Sequence, residues 1–228
     1  MSSVTRPDLN DDAFAAELRG FGVPGLLAIV VILAGSALSM ALGALLVLLW
    51  ARRSRTPWRE IGYVRPRSWT RTIVVGVVSG VAFKLLMKAI VMPLLHADPI
   101  NHAYHGLVGN VAALPGTIFT MIVVAGFGEE TVFRGFLFER LGRRFGSSVG
   151  AKAAIVVFTS VLFALAHLHD QGLAGAEQAA ITGLAFGTAF AVSGRIAGIM
   201  VAHAAFDLTA VAIIYWNLES KVAHFIFK

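Results

Sequence analysis

The chain has 228 residues, 57% of them hydrophobic and 14% charged, and its mean hydropathy is +0.76. That balance lies outside the range of soluble domains and reads as an integral membrane protein. There is no cysteine, which excludes disulfides, thiolate nucleophiles and thiolate metal sites and leaves histidine and carboxylates as metal ligands. The net charge of +6 does not point to nucleic acid, because the basic residues cluster between apolar stretches, where they set membrane orientation.

Residues 1–22 form an acidic N-terminal segment outside the membrane, too long and with too acidic a flank for a cleaved signal peptide. Residues 23–217 then read as one all-α transmembrane domain, and 218–228 as a short tail. Stretches of about 20 apolar residues are long enough to cross a bilayer, and six are expected. They run over about 24–50, 72–95, 112–138, 151–168, 177–193 and 196–217. Only "GR" separates the last two, which makes them an antiparallel hairpin. Gly183 and Gly187 on the fifth have the small-residue spacing that lets helices approach closely.

Orientation follows from the loops. The connection after the first span, residues 51–71, carries seven arginines against one glutamate, and the positive-inside rule puts it in the cytoplasm. Alternating spans then place the N-terminus outside. They also put the turn with Arg140, Arg143, Arg144 and Lys152, and the turn with Arg195, on the cytoplasmic side. The connection over 96–114 has neither lysine nor arginine, as an outer loop should. The basic loops favour substrate access from the cytoplasmic side or laterally from lipid.

Charges inside apolar spans are the informative residues, because each costs on the order of 3 kcal/mol at the bilayer centre. Glu130 and Arg134 are four apart with the acid first, the favourable order for an ion pair on one helix face. Glu129 is rotated about 100° from Glu130 and has Phe133 one turn on, so its partner must come from another helix. Phe163 and His167 on the fourth span, and His203 and Asp207 on the sixth, are likewise four apart. At about 1.5 Å per residue from the basic ends, Glu129, His167, His203 and Asp207 all fall near the middle of a core about 30 Å thick. A lone intramembrane histidine or acid is commonly an interhelical hydrogen-bonding group. Two glutamates, two histidines and an aspartate at similar depth need more than that.

The segments "EETVFRGFL", "FALAHL" and "HAAFDL" resemble, in order, the three motifs of the CPBP family, intramembrane proteases related to the CAAX prenyl endopeptidase. The likeness covers about residues 117–216. It implies a membrane-embedded endopeptidase acting on a membrane-associated protein or peptide, with Glu129 as the base that activates water. By the same likeness His167 shares the water or a metal with Glu129, Glu130 and Arg134 fix the helix, and His203 stabilises an oxyanion or completes a metal site. Asp207 stands where the family commonly has Asn. An ionised Asp repels an oxyanion that an Asn amide would hold, but it suits zinc or the orientation of His203. Glu129, His167, His203 and Asp207 are thus a candidate zinc set beside a metal-free glutamate mechanism.

Other classes fit less well. "GFGE" at 126–129 lacks the aspartate dyad of presenilin-type proteases, and Ser193 sits at a turn, not in a rhomboid motif. Lys84 and Lys88 in the second span match no motif. Pairing with Glu129 or Glu130 would make them an ion or proton relay and the protein a transporter. Otherwise Lys84 reaches a carboxylate inside the bundle while Lys88 snorkels outward. A non-proteolytic scaffold of the same fold is the third alternative. His96, His102 and His105 in the outer loop are expected to be solvated.

Overall fold

A computed structural model describes residues 9–227 of the chain; residues 1–8 of the expected N-terminal segment and Lys228 of the tail lie outside the described residues. The described residues are mostly helical, with no strand among them, as an all-α bundle requires. α1 (Leu9–Arg19) bends by 59° into α2 (Val23–Leu38). α3 (Met40–Arg53) follows after the single extended residue Ser39. Next come α4 (Trp69–Leu94), α5 (Val111–Phe145), α6 (Val149–Ser193) and α7 (Ala197–Tyr215), and a short α8 (Glu219–Ala223) closes the chain.

α4 to α7 are each long and apolar enough to cross a membrane, and the bent pair α1–α2 makes a fifth candidate. α6 is two arms. Gly172 takes φ 65° and ψ −165°, a conformation open to glycine, and the helix doubles back there. Gly183 then lies against Ser160, and Gly187 against Val156. The expected fourth and fifth spans are these arms, and the two small residues sit where they meet. With the arms taken separately, the bundle is close to the expected six spans.

The first expected span is built differently. At Ser39 the chain reverses, so that Gly35 lies against Leu46 and Ser36 against Gly43. The Trp50 indole N–H donates to the Leu18 carbonyl at 3.0 Å, tying the end of α3 to the start of α2. At about 1.5 Å per residue, helices of 16 and 14 residues reach only about 24 and 21 Å, short of a core of about 30 Å. The apolar stretch therefore enters and leaves the bundle at one end. α1 and the first basic loop thus lie at the same end of the bundle, whereas a single span over 24–50 would put them at opposite ends. In the structure Arg19 pairs with Glu60, and Arg55 with Asp12.

The three basic turns do share one end. The Ile196 N–H donates to the Gly62 carbonyl at 3.0 Å, and the Arg140 guanidinium donates to the Arg19 carbonyl at 3.0 Å. α7 is the central helix, 44% buried in its most apolar window against 17–28% for the other three spanning helices. Their remaining apolar surface faces outward, where lipid is the matching solvent. α5 is clamped between α7 and the hairpin: a Cβ on Gly126 would meet the Ala204 side chain at 2.9 Å, and one on Gly128 the Met40 backbone at 2.9 Å. The turn between α6 and α7 reverses the chain as expected, but α7 packs most closely on α4, through Gly76 and Gly80.

Candidate active site

α5 brings the two adjacent carboxylates to the bundle centre. From Thr120 to Glu129, and again from Thr131 to Leu137, its hydrogen bonds run i to i+5, a π-helical winding. Such winding is rare outside functional sites. Glu130 and Arg134 form the expected pair, 2.9 Å from Oε1 to Nη1, with exposures of 0% and 1%. The Phe163 ring covers the guanidinium, 4.8 Å from centroid to Cζ.

The same Glu130 oxygen also accepts from the His203 Nδ1–H at 2.6 Å. A carboxylate only accepts, so Nδ1 carries the proton and Nε2 is turned toward the remaining acids. Nε2 stands 3.4 Å from Asp207 Oδ2 and 3.7 Å from Glu129 Oε2. The Glu129 oxygen is buried and has no hydrogen-bond partner among the described residues. His167 donates from Nδ1 to the Phe163 carbonyl at 2.8 Å, which leaves its Nε2 as the free nitrogen.

Glu129, His167, His203 and Asp207 line one cavity of about 120 Å³. Glu130 and Arg134 stand behind its wall and reach it through His203. The six expected site residues are therefore brought together in a line, Arg134 to Glu130 to His203, ending on two carboxylates and a second histidine. The cavity runs toward Thr120 on α5 and toward Asn101 and Tyr104 of the outer loop. That is the end of the bundle away from the basic turns. Charge in the loops reports orientation; where a cavity opens depends on how the helix ends splay.

Neither lysine reaches Glu129 or Glu130. Lys84 is buried and donates to Gln178 Oε1 at 2.8 Å, not to a carboxylate. Lys88 does not snorkel outward but pairs with Glu219 of α8 at 3.2 Å. Glu219 also accepts from the Asn101 N–H at 2.9 Å, so the outer loop is fastened at the cavity mouth. Gln178, Tyr104 and Glu219 were not singled out from the sequence. Nothing local marks them, since Lys88 and Glu219 are 131 residues apart. His102 is exposed and contacts Asp98 at 3.1 Å.

Among the described residues no group of three or more histidine, aspartate or glutamate side chains is disposed to hold a metal ion. His203 donates its Nδ1–H to Glu130, which leaves Nε2, toward Glu129 and Asp207, as its one free ligand atom.

The fold and this cluster define a polytopic helical membrane protein with an acid–histidine centre buried inside it. Residues 111–209 match the family described as type II CAAX prenyl endopeptidase Rce1-like, and that segment contains all six site residues. The resemblance read from the three motifs is thus met by a family match over that segment, which supports an intramembrane endopeptidase in general. No curated protein and no solved structure matches the chain.

Proposed function

We propose that the protein hydrolyses a peptide bond of a membrane-associated protein or peptide with a water activated by Glu129. The observation that carries this reading is the unpartnered Glu129 oxygen beside His203 Nε2 in a cavity of molecular size. A base must stand within hydrogen-bond reach of the water it deprotonates and have no stronger partner.

Glu129 takes a proton from the water, and the hydroxide adds to the scissile carbonyl carbon. The carbonyl π electrons move to its oxygen. His203, with protons on both nitrogens, donates from Nε2 to that oxyanion. Collapse of the tetrahedral intermediate breaks the C–N bond, and the proton held by Glu129 passes to the leaving amine. His167 Nε2 holds the water on its other side. Arg134 neutralises Glu130, and Glu130 orients His203. Asp207 supports the imidazolium instead of contacting the oxyanion, which removes the repulsion that an aspartate would bring there.

Substrate enters from the end that carries the outer loop, where the cavity opens. The basic turns face the cytoplasm, so α1, which shares their end, lies on the cytoplasmic side as well. The reading is tested with purified protein in lipid and a mixed library of apolar and prenylated peptides, read by mass spectrometry. Cuts made by the wild type and lost in Glu129→Gln support it; equal cutting by both removes Glu129 from the mechanism.

A further inference from the structure

A second hollow of about 550 Å³ lies between α4, the second arm of α6 and α7, and shares no lining residue with the site cavity. Its walls are largely apolar, with Val75, Ala189, Ala197, Ile199 and Ala202 among them, and Phe186 closes its inner end. Arg67, Arg71 and Arg195 stand at its mouth at the basic end, all exposed. None of the three takes part in an ion pair among the described residues.

Ser68 and Ser79 mark the groove's extent along α4. Eleven residues at about 1.5 Å each give about 16 Å, which is the depth of one leaflet, half of a core about 30 Å thick. Three free guanidinium groups above a leaflet-deep apolar slot are complementary to a phosphate joined to an acyl chain, since arginine forks match phosphate geometry. We propose that the groove binds one anionic phospholipid, with its phosphate on Arg67, Arg71 and Arg195 and an acyl chain running between α4 and the second arm of α6, over α7, to Phe186. The Phe186 ring lies 5.3 Å from the His203 ring, so the chain end stands one aromatic residue from the acid–histidine cluster. The proposal does not depend on peptidase activity.

It is tested by native mass spectrometry of the purified full-length protein, offered phosphatidylglycerol or phosphatidylcholine of identical chains. The expected result is one retained phosphatidylglycerol, preferred at least about tenfold over phosphatidylcholine. R67Q/R71Q/R195Q removes the preference, and the triple lysine variant keeps most of it. Ala189→Trp fills the slot from its open side and abolishes retention with the arginines intact. Should the triple variant fail to fold, Arg71→Gln and Ala189→Trp are read singly. Equal retention of the two lipids by the wild type overturns the proposal. So does a preference that survives the loss of the arginines or the filling of the slot, or displacement of the lipid by chainless glycerol phosphate at equal concentration.

Discussion

His203 Nδ1 and Glu130 Oε1 stand 2.6 Å apart, and that contact decides which nitrogen of His203 faces the cavity. Glu130 is thereby shared between Arg134 and His203, and stability and orientation can be separated by mutation. Glu130→Leu alone leaves a buried, unpaired arginine and should cost about 3–5 kcal/mol, whereas the double variant Glu130→Leu with Arg134→Met should recover most of that loss. Cleavage should not recover with it, because the histidine has lost its orienting partner, and should stay about 100-fold or more below wild type. Thermal unfolding in lipid nanodiscs and peptide cleavage, measured on the same three proteins, check both halves. Recovery of cleavage in the double variant would show that Glu130 serves the fold alone.

Lys84 tests the transporter alternative. Its partner is Gln178 and it touches neither Glu129 nor Glu130 directly, although it lines the same cavity as Glu129. Lys84→Met should keep cleavage within about tenfold of wild type, a change of about 1.4 kcal/mol in the barrier. In sealed liposomes, neither the wild type nor the variant should carry a proton flux above that of empty vesicles. A flux present in the wild type and lost in the variant would reverse the assignment.

Metal removal is the next test. With no group of three ligand side chains disposed to hold a metal among the described residues, cleavage should persist after dialysis against a strong chelator. Elemental analysis should find well under one zinc per chain. Loss of cleavage on chelation with full return on adding zinc would restore the metal reading.

The site was legible because charge in an apolar helix is costly and has few innocent explanations. Glu130 and Arg134 could be paired from spacing alone, and the depths of Glu129, His167, His203 and Asp207 put them in one stratum before any fold was known. Two things were hidden. Residues 24–50 read as one span because "ALSMAL" carries no glycine, proline or charge at its turn, and Ser39 reverses the chain through an extended conformation that any residue can adopt. The sharing of Glu130 between Arg134 and His203 was hidden too. Spacing along one helix cannot report a contact made 73 residues away, nor does composition mark the π-helical winding that presents both glutamates.

The mouth of the cavity carries the last prediction. Glu219 is fully buried, and one of its oxygens receives both the Lys88 ammonium and the Asn101 N–H. It joins α4, α8 and the outer loop. Hydrogen bonds to a charged group contribute about 1.5–3 kcal/mol each, so Glu219→Ala should raise the exchange rate of the Asn101 amide by about 10- to 100-fold. The amides of α7 below it should change little, because their bonds stay within the helix. The loop lines the cavity through Asn101 and Tyr104, so a loosened loop should raise KM for peptide more than it lowers kcat. Hydrogen exchange by mass spectrometry and steady-state cleavage kinetics give the two readings. An unchanged Asn101 exchange rate in the variant would mean that the loop is held in place by something other than Glu219.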